Sequence, residues 1–133
     1  ISIVISELVN KFNKVLAVEL GSEYEVGLRF SNDFVLTHPK AAILINLDNV
    51  YLSKPAIELQ DVTFTLQVYV VANNLLDYID QLKIVDRVRN VIGGVIVNAS
   101  NCYVQRINEV FVGENATVFS LTVSNNNLAT RVM

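Results

Sequence analysis

The sequence has few of the groups that do chemistry. Its 133 residues include one histidine, one cysteine and no tryptophan. A lone cysteine cannot form a disulfide within the chain, which fits a reducing compartment. Charged residues make up only 17%, against about 25% in an ordinary soluble domain. The net charge is −3. Lysines and arginines are scattered and often sit beside acids, so there is no basic stripe, which weighs against a dedicated nucleic-acid binder. Long apolar runs are also missing. Stretches such as Val91 to Val97 fall far short of the roughly 20 residues a spanning helix needs, so no membrane partner is expected. No basic-then-apolar leader opens the sequence. The triplets at Asn98 and Asn115 that match the glycosylation pattern are therefore read as chance matches.

The chemistry that remains is thin. His38 sits beside Pro39 with no cysteine, aspartate or glutamate at ligand spacing, so it reads as a loop residue. Cys102 lies at the start of a predicted strand, where a small buried thiol is commonplace. Asp77 and Asp80 share a helix surface with Lys83, and Asp86 precedes Arg89 by three residues. These are solvated helix pairs rather than a catalytic dyad. Gly93-Gly94 has neither the lysine of a phosphate-binding loop nor dinucleotide spacing, and reads as a helix stop. The expectation is no enzyme, no cofactor and no metal.

What the sequence does contain is apolar pattern. The apolar fraction is 52%. With so few charges, partner subunits covering part of the surface would explain that excess, since obligate interfaces resemble a core cut in half. A first helix is predicted with Ser2 as its cap, Ile5, Leu8, Val9, Phe12 and Leu16 as its stripe and Gly21 as its stop. Tyr24 to Phe30 alternates as a strand with Tyr24, Val26, Leu28 and Phe30 on one face. Ser31 to Lys40 is a loop. Ala41 to Leu47 is a buried strand, Asp48-Asn49 a turn, and Val50 to Pro55 an ambiguous edge or bulge.

The clearest signal lies between Asp61 and Gly94. Val62, Phe64, Leu66, Val68 and Val70 alternate with Thr63, Thr65, Gln67, Tyr69 and Val71 along a long strand. The period then changes, and Leu75, Ile79, Leu82, Val85, Arg89 and Ile92 recur at helical spacing up to the glycines. Two strands close the chain. One covers about Cys102 to Val112 with an imperfect, bulge-like pattern. The other covers Thr117 to Val123 with Phe119, Leu121 and Val123 inward. Asn125 to Met133 reads as an irregular arm.

The predicted class is therefore α+β. A single, mainly antiparallel sheet carries two helices on one face, in the order α-β-β-β-α-β-β, with residues 1–133 forming one domain and 125–133 an extended arm. The second sheet face, with Thr63, Thr65, Gln67, Tyr69, Val71, Val118, Ser120 and Thr122, is semi-polar. Such a face meets water or another chain.

This layout resembles the tail terminator, or tail-completion, proteins of long-tailed bacteriophages, in the Mu-like contractile-tail branch. The resemblance is carried by ISELVNKFNKVL, by HPKAAILINL, by FTLQVYVVANNLLDYIDQLKIVDRVRNVIGG and by the closing VFSLTVS. It implies a hexameric ring that caps the head-proximal end of the tail tube, ends tube polymerisation and meets the neck. The implied partners are further copies of the chain, the tail tube protein, the neck or connector protein and the sheath protein, with DNA only as passing cargo. The implied location is the virion tail, assembled in the bacterial host cytoplasm. The family has no enzymatic activity and no transferable contact motif.

The contact residues expected from the pattern are Tyr51, Lys54, Thr65, Gln67, Tyr69, Arg87, Arg106 and Arg131. Any single arginine or lysine among them also reads plainly as a solubilising charge. The loops Ser31–Lys40 and Asp48–Pro55, with the arm from Asn125, would make the two ring faces differ. Two other readings stand beside the ring. One is another neck or tail-tube adaptor of related fold. The other is a small-ligand-binding α+β domain, which would need Tyr24, Tyr69, His38 and Arg106 to converge in a pocket.

Overall fold

The computed structural model describes residues 2–3, 5–52, 60–97, 100–129 and 131–132. Two helices of 16 residues, α1 (Ile5–Leu20) and α2 (Tyr78–Gly93), back one five-stranded sheet. In space its strands run β2 (Glu25–Leu28), β3 (Ala41–Leu52), β4 (Gln60–Asn73), β8 (Ala116–Ala129) and β7 (Tyr103–Val112). Two short pairings complete the fold. β1 (Ser2–Ile3) lies parallel to β9 (Arg131–Val132), and β5 (Ile96–Val97) lies antiparallel to β6 (Ser100–Asn101). The α+β class, the order of the main elements and the mainly antiparallel sheet follow the sequence expectation.

The long strand forms because its alternation suits a sheet buried on one side. Phe64, Leu66, Val68, Val70 and Ala72 face the helices, beside Ile43 and Ile45 of β3 and Phe119, Leu121 and Val123 of β8. α1 packs over β2 and β3, and α2 over β4, β8 and β7. Phe12, Leu16 and Leu20 close the first contact, and Val85, Val88 and Ile92 the second. Gly21 follows the last residue of α1, and only glycine fits there. A Cβ at Gly21 would lie 2.3 Å from the Ala17 carbonyl oxygen, which already accepts the Gly21 N–H at 2.9 Å.

Several expectations are corrected. Ser2, expected at the cap of α1, has its backbone in β1, paired with Arg131, three residues before α1 begins. β2 stops at Leu28 and runs parallel to β3. The segment 29–40 is long enough to be the crossover that a parallel pair needs. Asp48-Asn49 is no turn. β3 continues through it with a register shift between Leu47 and Asn49 and reaches Leu52. The ambiguous stretch beyond, including Lys54 and Pro55, lies outside the described residues. The closing strand is twice as long as its apolar core suggests. It runs on to Ala129, pairing Asn125 to Ala129 with Phe64 to Gln60, where an irregular arm was expected. The helix stripe is also rotated. Gln81, Ile84, Val85, Val88 and Ile92 are buried, whereas Leu75 and Ile79 point to solvent.

Arg29 explains the early end of β2. Its φ is 66°, the only positive value at a non-glycine position among the described residues. This left-handed turn reverses the side to which the chain points. Tyr24 and Val26 belong to the helix-side core, but Phe30 lands on the other sheet face. An ordinary side chain held in this region costs about 1–2 kcal/mol. Arg29→Gly is expected to raise stability by about 0.5–1 kcal/mol, the relief of that strain less the entropy glycine loses on folding. The Arg29 N–H bond to the Ile45 carbonyl, 2.8 Å, survives the change. Urea denaturation measures it.

Candidate interaction surface

The sheet face away from the helices is the candidate surface. Residues paired across a ladder point to the same side. One row of this face runs Asn49–Thr65–Ser124–Tyr103, the next Asn46–Gln67–Thr122–Arg106, and the third Leu44–Tyr69–Ser120–Asn108. Tyr51, opposite Thr63, extends it at one end. The register thus gathers five of the expected contact residues, Tyr51, Thr65, Gln67, Tyr69 and Arg106, onto one face. Arg87 is elsewhere. It sits on α2, and its Nε lies 3.4 Å from Glu23 in the turn after α1. Both partners of that pair are substantially exposed, so it contributes little. Arg131 has its backbone in β9.

Most of the gathered side chains are already engaged. The Gln67 amide joins β4 to β8: its Nε2 donates to Thr122 Oγ1 at 3.0 Å, and its Oε1 accepts from Ser120 Oγ. Thr65 is buried and donates to the Asn49 carbonyl at 3.3 Å. Tyr69 stacks on Phe30, with ring centroids 4.7 Å apart and planes inclined by 26°. Phe30 is held by Asn46, which accepts its N–H at 2.7 Å and donates to its carbonyl at 3.2 Å. Only Tyr51, 60% exposed, and Arg106 present themselves outward among these five.

The loop 29–40 folds over the far end of this face. Phe30, Phe34 and Leu36 pack on Ala42, Leu44, Val71 and Val118 as a second, smaller core. Between this loop and the β7–β8 hairpin runs a groove of about 750 Å³, bordered by Phe30, Phe34, Val110, Phe111 and Val118.

The four residues of the ligand-pocket reading do not converge. Tyr24 sits in the helix-side core and meets the His38 ring edge-on at 6.5 Å. Tyr69 and Arg106 belong to the opposite sheet face. The His38 Nδ1 accepts the backbone N–H groups of Lys40 and Ala41, at 3.0 and 3.3 Å, which is a loop-closing role. Among the described residues, no three histidine, cysteine, aspartate or glutamate side chains group as a metal ion would require.

Cys102 is buried, and Asn125 Nδ2 donates to its sulfur at 3.6 Å. Burial pushes the thiol up to about 11 from the ordinary 9.0, opposed in part by that hydrogen bond. The folded thiol therefore keeps its proton at a pH where the unfolded one has lost it. Its contribution to stability is full below about pH 9 and falls as pH rises towards 11. Alkylation at pH 8 is expected to be slow in the native protein and rapid in urea, and mass spectrometry reads the difference.

Sequence comparison adds nothing to this geometry. No family model matches the chain, and no curated protein matches it significantly.

The residues that pattern reasoning missed are apolar. Leu75 is 90% exposed and Ile79 62%, although both fit the predicted helix stripe. Ile107, Phe111 and Val112 on the edge strand β7 are exposed as well. The available signal was the sequence VFV just before the Gly113 turn, three large apolar residues that cannot all face one side of a regular strand.

Proposed function

We propose that this protein is a structural component of a bacteriophage tail. It closes into a ring, hexameric by resemblance, at the head-proximal end of the tail tube, ends tube growth and joins the tail to the neck. The supporting observation is a helix-backed sheet in the α-β-β-β-α-β-β order whose two edges expose unlike apolar groups. A ring needs head-to-tail contacts, so each subunit must carry two different patches. The scarcity of charge and the apolar excess agree with a surface made to be covered. The partners in this reading are sister copies, the tube protein, the neck protein and, in a contractile tail, the sheath. DNA passes as cargo past a protein of mild negative charge.

The test is electron microscopy of the purified chain, alone and with tail tubes. Annular particles, or rings at one tube end only, are expected. A monomer that leaves tubes unaltered overturns the proposal. Cells infected with phage lacking the protein should accumulate overlong or headless tails. An absence of tubes would instead make it an initiator or tube adaptor.

A further inference from the structure

The exposed apolar side chains are grouped. Leu75, Tyr78 and Ile79 protrude where α2 begins, and Ile107 and Val112 protrude from the helix-side face of β7, whereas Phe111, paired with Val118, faces the other side. Two ties make one surface of these groups. Asn74 Nδ2 donates to the Gly113 and Glu114 carbonyls at 2.8 and 2.9 Å, and the Tyr78 hydroxyl lies close enough to the Glu109 side chain of β7 that the carboxylate raises its pKa above the ordinary value. With exposures from 40% at Ile107 to 90% at Leu75, these five residues leave on the order of 600 Å² uncovered, most of the roughly 800 Å² that each partner of a standard interface buries. The largest apolar patch of a typical monomer is about 300–600 Å².

The opposite edge of the sheet carries a smaller counterpart. Leu28 of β2 is 50% exposed. Leu47, two residues beyond Leu28's ladder partner Ile45, is 45% exposed. A single row of paired residues runs Leu28–Ile45–Val68–Leu121–Ile107, so both sites lie at one level and on one face. β2 runs with β3, and three antiparallel steps separate β3 from β7. β2 and β7 therefore point in opposite directions. A second copy set alongside in the same orientation presents its β2 edge antiparallel to β7. The β7 ladder is irregular around Gln105 and Val110. Such bulges twist an edge strand away from ladder pairing, so side chains rather than backbone make the contact.

We propose that the α2–β7 patch docks head to tail on the Leu28–Leu47 edge of a second copy of this chain. The inference rests on the ring reading and assigns its subunit contact. Pairing the large patch with itself about a twofold axis would stop at a dimer and leave Leu28 and Leu47 uncovered.

Cross-linking tests it. Ile107→Cys and Leu28→Cys proteins, mixed and treated with a short bismaleimide, should give covalent dimers, whereas neither alone should. The buried Cys102 is a silent background. The double variant should give a ladder ending at the ring. Val112→Asp and Ile79→Lys, both at exposed positions, should raise the dissociation constant at least tenfold with an unchanged circular dichroism spectrum. Dimers from Ile107→Cys alone would overturn the head-to-tail contact. So would a ring that persists in native mass spectrometry without cross-links or without response to these charges, and in that case the ring reading would survive. A wild-type chain that stays monomeric at high micromolar concentration and forms no ring on tail tubes would overturn both.

Discussion

Phe119→Ala is expected to lower stability by about 3–5 kcal/mol, within reach of the whole folding free energy of a domain whose net stability is about 5–15 kcal/mol. Phe119 is 2% exposed on β8. Its neighbours across the ladders are Val70 and Glu109, and the Tyr78 ring lies 6.4 Å away. It is thus the point where the centre of the sheet meets the start of α2. Truncation removes the apolar transfer energy of the ring and leaves a cavity that two flanking strands and a helix cannot collapse into. Phe119→Leu keeps most of the volume and is expected to cost about 1–2 kcal/mol. Phe111→Ala provides the contrast. It deletes the same ring at a site 62% exposed, so monomer stability should change by less than about 0.5 kcal/mol. Urea denaturation at several protein concentrations measures all three, and the concentration series separates folding from assembly. A Phe119→Ala protein as stable as the parent would contradict the core described above.

The same pair shows what the sequence discloses. Phe119 is legible because Phe119, Leu121 and Val123 keep strict alternation in a strand with one buried face. Phe111 is not, because bulges at Gln105 and Val110 break the period that would assign it a side. In α2 the reading failed differently. Leu75 and Ile79 are apolar at helical spacing, but Gln81 takes a buried position, its Nε2 donating to the Leu76 carbonyl at 3.1 Å while its Oε1 is left without a partner among the described residues. Hydropathy alone cannot tell a buried glutamine from an exposed leucine. The polar run Asn125 to Asn127 was read as irregular because composition describes local preference, whereas its strand geometry comes from pairing with Phe64 to Val62, some sixty residues earlier in the chain. The contact residues fall between these cases. Alternation around Gln67 brought Thr65, Gln67 and Tyr69 to one face, but it could not show that hydrogen bonds and a stacked ring already occupied them.

Those occupied side chains make Asn46→Ala the second large effect. Asn46 accepts the Phe30 N–H and donates to the Phe30 carbonyl, mimicking a strand partner for a residue just beyond the end of β2. Removing its side chain leaves both Phe30 backbone groups without that partner in a partly buried site. Each such loss costs about 1–1.5 kcal/mol, so about 2–3 kcal/mol is expected. The consequence is larger than the energy, because Phe30 is the anchor of the loop 29–40. It stacks on Tyr69 and packs with Phe34 and Leu36 over the second core. Releasing it should open the groove beside Phe111 and expose Ala42, Leu44, Val71 and Val118, while the helix-side core stays closed. Hydrogen exchange gives a spatially resolved readout. The amides of Phe30 and Phe34 should exchange at least tenfold faster, and those of Val68 and Leu121 should slow or quicken only with global stability. Equal acceleration in both sets would mean that the loop and the core unfold as one unit and that Asn46 is no separate latch. If the loop helps one ring face differ from the other, Asn46→Ala should also leave ring closure intact while weakening engagement of the tube, because the α2–β7 patch and the Leu28–Leu47 edge do not depend on this clamp.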